Sequence, residues 1–300
     1  MTIKNGTIVT DGVTDAIVIN AGTLTFGENL TVKSTRGAII DAEGGKFVLA
    51  GAKLEGGNTY TTVYIGSNAE MNMTEGEITG PDKGALSVYG RATVTGGTIS
   101  ASNGSTIKAG SGGTVNLNGG KISNGNSSLC AVFAVSGGKV VVDGAEIDGA
   151  GGALIAAGGT VEVKSGTIKD SSLALVAHSG GTATISGGTF TGSRYAVSDN
   201  ADGRQCYGPS SGSFYTSGTV TITGGTFSMD PSAYLASNYE IAKTVDDMYK
   251  VIASGTATAK IGEIKYVTLA DAVTAANVND AITMLTDETT SSSPTVITSG

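Results

Sequence analysis

The chain has 300 residues, of which only 15% are charged, and a net charge of -8. This balance argues against binding to a nucleic-acid backbone, because that affinity depends on clustered Lys and Arg. No run of about 18 apolar residues is present, so we expect no membrane-spanning helix. The 47 glycines and the abundant Thr and Ser suit tight corners and outward strand positions.

Residues 1 to about 50 contain short strand-like segments separated by turns, such as Gly6–Ile8 and Gly22–Phe26. We interpret them as the first one or two coils of the structure that follows. No signal-peptide pattern precedes them, since Met1 leads directly into repeat-like sequence. The chain is then either a cytoplasmic protein or a fragment of a longer exported one, and we expect a fragment because both of its ends look abrupt.

The central part of the chain repeats one phrase, best seen as Thr-Val-Thr-Gly-Gly-Thr-Ile-Ser at residues 93–100. Successive copies are 21 to 25 residues apart, with one longer step of 37. Such regular spacing indicates a repeat architecture. From residue 78 onward, the apolar residue that closes each copy is expected to stack on its neighbours in a buried column: Ile78, Ile99, Ile122, Ile147, Ile168, Phe190 and Phe227.

Each repeat alternates polar and apolar residues, as β-strands do, and the Gly-Gly pair permits a sharp corner. Three short strands and three corners in roughly twenty-two residues describe one coil of a right-handed parallel β-helix. The predicted fold is therefore all-β: a single-stranded right-handed parallel β-helix over 1–236, followed by a small C-terminal hairpin and helix segment. A leucine-rich repeat would need several leucines per repeat, and an antiparallel sandwich would not need constant spacing.

The 37-residue step predicts an insertion at about 198–213, and long loops on a rigid scaffold often carry function. Its aromatic and basic residues make it the predicted glycan-contact site, with a tolerated insertion as the alternative. The candidate ligand-binding residues are Tyr195, Arg204, Tyr207 and Tyr215. Other tyrosines that could form an exposed platform, or simply cover coil edges, are Tyr60, Tyr64 and Tyr89.

After about residue 236 the repeat pattern ends. We predict a β-hairpin linker at 237–258 that turns at 245–247, and the start of a further module at 259–300. That module would contain a hairpin over 259–269, a helix over 269–276 with Thr268 as N-cap, and a strand over 281–285.

Residues with catalytic potential are few. A glycosidase needs two carboxylates that face each other across a cleft. The acids on neighbouring coils are expected to be solvated outward charges: Asp143, Glu146, Asp148, Glu162 and Asp170. The single histidine, His178, is expected at an exposed corner, with the adjacent Ser179 pointing to the opposite face.

No cofactor fingerprint or metal-ligand spacing is recognisable in the sequence. Cys130 is expected in an apolar strand, and Cys206 about three coils away is too distant for a disulfide unless its loop folds back.

The Gly-Gly-Thr-Ile and Gly-Gly-Thr-Phe coils resemble the pectin-lyase-like β-helices of large surface proteins from gut and other Gram-positive bacteria. Residues 259–287 are similar to a module that recurs between such β-helices. The resemblance implies a cell-surface or secreted protein that acts in adhesion or contacts host or bacterial glycans. The catalytic signatures of the related polygalacturonases and lyases are missing, which favours a non-catalytic protein. A polysaccharide lyase or glycoside hydrolase, and a trimeric phage spike that binds a receptor, remain the alternatives.

Overall fold

The structure is a computed structural model that describes residues 1–12, 15–201 and 216–286. It is an all-β solenoid of about 11 turns, right-handed in type, and its described residues are 56% strand with one short C-terminal α-helix. The predicted parallel β-helix is therefore confirmed as the fold. Among the described residues, no helix combines the length and apolar character needed to cross a membrane.

The strands follow the chain in order, and several long ones continue through a corner. The first coils contain β1 (Thr2–Ile3), β2 (Gly6–Thr10), β3 (Ile17–Ile19), β4 (Thr23–Phe26), β5 (Leu30–Ser34), β6 (Ile40–Glu55) and β7 (Val63–Gly80). The middle coils contain β8 (Leu86–Val88), β9 (Arg91–Val94), β10 (Thr98–Ala101), β11 (Ile107–Ala109), β12 (Thr114–Leu117), β13 (Lys121–Asn124), β14 (Val132–Val135) and β15 (Lys139–Gly149). The last coils contain β16 (Leu154–Ala157), β17 (Thr160–Asp170), β18 (Leu173–His178), β19 (Thr182–Ile185), β20 (Thr189–Gly192), β21 (Tyr195–Ser198), β22 (Thr219–Ile222) and β23 (Thr226–Phe227).

These strands form three parallel sheets along the solenoid. Sheet I includes β9, β12 and the first part of β15, and sheet II includes β10, β13 and the second part of β15. Sheet III includes the first parts of β6 and β7, followed by β8, β11, β14, β16, β18 and β21. Every coil therefore contributes one strand to each side.

The predicted buried column lies in sheet II. Ile99 pairs with Ile122, and Ile122 pairs with Ile147, in parallel register. The same register continues to Phe190 and Phe227, whose rings stack with centroids 4.9 Å apart. All five side chains are fully buried, and each such burial contributes roughly 1.5–3 kcal/mol.

The two glycines of the corner at residues 96–97 are required for different reasons. Gly97 has φ +81°, a left-handed conformation that other L-residues rarely adopt. Gly96 has no room for a side chain, because a Cβ there would lie 2.2 Å from the backbone oxygen of Thr74 in the preceding coil. The sequence analysis predicted the first reason and missed the second.

The hairpins, the helix and the last strand of the C-terminal part follow one another along the chain as predicted. The short 3-10 helix Ser232–Tyr234 precedes the hairpin of β24 (Tyr239–Lys243) and β25 (Tyr249–Ala253). The next hairpin joins β26 (Ala259–Ile261) to β27 (Ile264–Tyr266), and α1 (Leu269–Ala275) leads to β28 (Ile282–Met284). Thr268 caps α1 in a reciprocal capping box with Asp271.

The first C-terminal hairpin also extends the solenoid, which the sequence did not indicate. Strand β25 pairs antiparallel with β23, the last strand of sheet II, at Phe227–Tyr249. Tyr234, Tyr239 and Tyr249 pack against the main core from this end. The hairpin thus covers an edge that would otherwise expose unpaired backbone groups.

Candidate functional site

The residues of the predicted insertion site are mostly outside the described part of the chain. Arg204, Tyr207, Tyr215 and most of the segment 198–213 belong to the undescribed residues 202–215. Tyr195 is described: it begins β21 on sheet III, is partly exposed, and has the guanidinium of Arg194 5.5 Å from its ring centroid.

The acids first considered for catalysis are engaged within the solenoid. A carboxylate oxygen of Glu146 lies 3.0 Å from Lys169 Nζ and 3.3 Å from Lys121 Nζ, and these lysines hold the pKa of Glu146 below its usual range. Glu162 lies 2.6 Å from Lys139 in the preceding coil. Asp148 lies 3.3 Å from Lys169 Nζ. These contacts are ion pairs along the outer surface and leave no facing pair of carboxylates.

The two remaining acids of that set accept hydrogen bonds. Asp143 accepts one from the Ser165 hydroxyl at 2.8 Å. Asp170 is buried, so the expectation of an outward, solvated charge is wrong for this residue. It accepts hydrogen bonds from the backbone N–H groups of Ser172 and Leu173, and burial raises its pKa. Both therefore hold neighbouring strands and corners in place.

His178 was expected at an exposed corner, and this prediction is wrong. Its side chain is only 3% exposed at the end of β18, and burial lowers its pKa. Ser179 has φ +54°, which ends the alternation of the strand, so its hydroxyl lies 2.9 Å from His178 Nδ1 instead of on the opposite face. The turn geometry, rather than the strand period, decides where the two side chains point.

Cys130 lies just before β14, rather than within the strand as predicted. It is a free, buried thiol that packs with Phe133 and Ile155. Burial raises its pKa to about 11, so the unreactive thiol form dominates at neutral pH.

A row of chemically varied side chains follows the outer side of sheet III. In successive coils, Asp41 pairs with Tyr64, Tyr64 with Ser87, and Ser87 with Lys108. Val18 precedes this row and Phe133 follows it. Adjacent members are one coil apart, about 4.8 Å at the usual strand spacing. This side of the molecule therefore presents acidic, aromatic and basic groups in sequence along the axis.

The acidic end of the row forms a pocket of about 290 Å³. Its carboxylates are Asp15, Asp41 and Glu43, and its aromatic walls are Tyr60 and Tyr64. Burial raises the pKa of Asp41 to about 6, and interaction first with Asp15 and then with Glu43 adds to the rise. Ionising Asp41 in this pocket therefore costs free energy.

The acids of this pocket differ from Glu146 and Glu162 in having no ion-pair partner among the described residues. No ion pair within the described ranges 1–12, 15–201 and 216–286 includes Asp15, Asp41 or Glu43. Oδ1 of Asp41 is also buried and finds no hydrogen-bond donor in that part of the chain. The pocket thus holds negative charge that the solenoid does not neutralise.

The aromatic part of the row is continuous with the pocket. The rings of Tyr64 and Tyr89 are 5.5 Å apart and tilted by 40°. Lys108 Nζ lies 5.8 Å from the Tyr89 ring centroid, a favourable cation–π distance. Tyr60 is 50% exposed at the outer wall. A second pocket of about 280 Å³ continues past Ser87 and Lys108 to Phe133.

The sequence analysis identified the three tyrosines separately but did not place them beside the acids. The spacing of 23 residues between Asp41 and Tyr64 equals one coil, so this pair could have been found by counting. Asp15 and Tyr60 lie in corner segments of irregular length, so no count would have predicted their positions. Within the described chain, no group of three or more His, Cys, Asp or Glu side chains is arranged to hold a metal ion.

Comparison with protein-family models, curated proteins and solved structures yields no match to this chain.

Proposed function

We propose that the protein is a non-catalytic rod that contacts carbohydrate through the outer side of sheet III. The observation that carries this proposal is the aromatic pair of Tyr64 and Tyr89, with one pocket at Tyr64 and a second pocket that starts at Ser87, the neighbour of Tyr64 in the next coil. We call this surface the groove. Sugar rings have apolar faces that stack on aromatic side chains, and their hydroxyls bond to nearby polar groups. The groove offers both, since Ser87, Thr61 and Asp41 border the rings.

The repeating architecture suits such a role. Each coil buries its inner side against its neighbours, so the outer residues are free to vary without loss of the core. A rigid solenoid also presents a groove along its axis, and an extended polysaccharide can lie along several coils. The resemblance to pectin-lyase-like surface proteins supports an exported bacterial protein, at the cell surface or secreted, with an adhesive role.

This proposal locates the contact differently from the sequence analysis. Tyr195 lies on the same sheet but six coils beyond Tyr64, roughly 29 Å along the axis. The two regions are thus separate candidates that one experiment can distinguish.

The test is a glycan-array screen of the wild-type chain, followed by titration calorimetry of the best ligand with Tyr64→Ala and Tyr195→Ala. We expect Tyr64→Ala to weaken binding by about tenfold or more, and Tyr64→Phe to retain most of it, because ring stacking is the main contact. Tyr195→Ala serves as the matched control and should bind normally. Loss of binding with Tyr195→Ala alone would move the site to the region of the insertion, and a wild-type chain that binds no glycan would refute the proposal.

A polysaccharide-acting enzyme is the second candidate, favoured by one observation. Asp41, with a pKa of about 6, could donate a proton near neutral pH, and two other carboxylates line the same pocket. Release of shorter products from a glycan panel, abolished in Asp41→Asn, would support catalysis. Binding without any product would leave the non-catalytic function as the proposal.

A further inference from the structure

The pocket at one end of the groove contains three carboxylates, and a neutral sugar would give them no positively charged partner. Asp15, Asp41 and Glu43 place up to three negative charges beside the Tyr60 and Tyr64 rings. On sheet II, Glu55 and Glu77 lie within 3.4 Å of lysines from the same or a neighbouring coil. Some outward acids of the solenoid are therefore neutralised by a nearby lysine, whereas no ion pair within the described residues includes an acid of this pocket.

An incoming cation could remove this unfavourable repulsion. Unpaired carboxylates in a partly desolvated pocket attract positive charge more strongly than solvated surface carboxylates do. The buried Oδ1 of Asp41 lacks a hydrogen-bond donor within the described chain, and an ammonium group would supply up to three. A ligand that carries an amine thus satisfies both the charge and the hydrogen-bonding capacity of the pocket.

The aromatic walls favour the same kind of ligand. Tyrosine rings attract cations at their faces, and the protein already uses this contact where Lys108 lies over Tyr89 and Lys243 over Tyr249. Tyr60 and Tyr64 are aromatic walls of the acidic pocket itself. A sugar with a free amino group combines the apolar ring face, the hydroxyls and the positive charge that this pocket can bind.

We infer that the pocket of Asp15, Asp41, Glu43, Tyr60 and Tyr64 is a subsite for a protonated amino sugar, so that the groove prefers glycans with free amines. This inference rests on the proposed function, because it specifies the ligand class for the same groove. It excludes uronic-acid polysaccharides as preferred ligands, since their carboxylates would meet the carboxylates of the pocket.

The experiment compares two matched probes, a β-1,4-linked glucosamine hexamer and its fully N-acetylated counterpart, by titration calorimetry near neutral pH. The two differ in the amino nitrogen, which is a free amine in one and carries a neutral acetyl group in the other. We expect the free-amine hexamer to bind about tenfold or more tightly, as is typical of charge-assisted hydrogen bonds. Its affinity should fall as salt is raised, because part of the attraction between opposite charges is screened.

The variant is the double substitution Asp41→Asn with Glu43→Gln, and the control is Glu146→Gln, which removes one carboxylate on sheet II. The double variant should lose the preference for the free amine, while the control should keep it. Circular dichroism of each variant checks that the β-solenoid is retained. A double variant that still prefers the free amine would overturn the inference.

The outcomes separate this inference from the proposed function. If both hexamers bind equally and Tyr64→Ala abolishes both, the groove binds glycans and the amino-sugar subsite is wrong. The subsite is equally wrong if neither hexamer binds but the array identifies another glycan that needs Tyr64. If the wild-type chain binds no glycan on the array, the proposed function fails, and the inference fails with it.

Discussion

Replacing Asp41 by Asn should make the protein more stable near neutral pH, because the folded protein holds the ionised carboxylate partly buried beside the carboxyl groups of Asp15 and Glu43. Its pKa rises from 3.8 to about 6 in the folded protein, and a rise of about two pKa units corresponds to about 3 kcal/mol at most. Asp41 is partly exposed, so solvent screening reduces this figure, and we expect a gain of about 1 kcal/mol in the free energy of unfolding.

The pH dependence of this gain has a definite sign. A raised folded-state pKa means that the folded chain binds the proton more tightly than the unfolded chain. The contribution of the protonated carboxyl to stability is therefore full below pH 3.8 and is lost as the pH rises through about 6. Asp41→Asn should thus gain stability relative to wild type at about pH 7.5 and show almost no gain at about pH 3.5.

Urea unfolding followed by circular dichroism at the two pH values measures both effects. Glu146→Gln is the matched control: lysines lower the pKa of Glu146, so removing its charge should reduce stability slightly at neutral pH. If Asp41→Asn is no more stable than wild type at pH 7.5, or gains equally at both pH values, the reasoning about uncompensated charge is refuted. A gain at neutral pH would be consistent with a charge kept for binding at some cost in stability.

Two further predictions concern the solenoid itself. Ile122→Ala should lower the free energy of unfolding by about 2–5 kcal/mol in urea titrations, because the side chain is fully buried between Ile99 and Ile147; a loss below about 1 kcal/mol would contradict the buried column. Gly96→Ala should lower the free energy of unfolding by about 1–3 kcal/mol, because the new methyl group would collide with the backbone oxygen of Thr74. The control Gly125→Ala should be neutral or slightly stabilising, since Gly125 has open space around it and no left-handed φ. Equal effects of the two substitutions would show that the corner has room for a methyl group.

The repeat phrase by itself determined the fold and its core. Because inward side chains recur once per coil, counting about twenty-two residues was enough to place Ile99, Ile122 and Ile147 one above another. The same regularity predicted that Glu146 would point outward, since strands alternate their faces. Local signals also sufficed for the C-terminal hairpins and for Thr268 as a helix cap.

Only the tertiary structure decided which outward residues meet. Asp15 and Tyr60 lie in corners whose lengths vary from coil to coil, so their approach to Asp41 depends on the path of each corner and not on the period. The burial of His178 and the pairing of β25 with β23 likewise depend on neighbours that no local pattern specifies. The physical reason is that the core is set by periodic burial, whereas the groove is assembled from irregular turns that the repeat leaves free to vary.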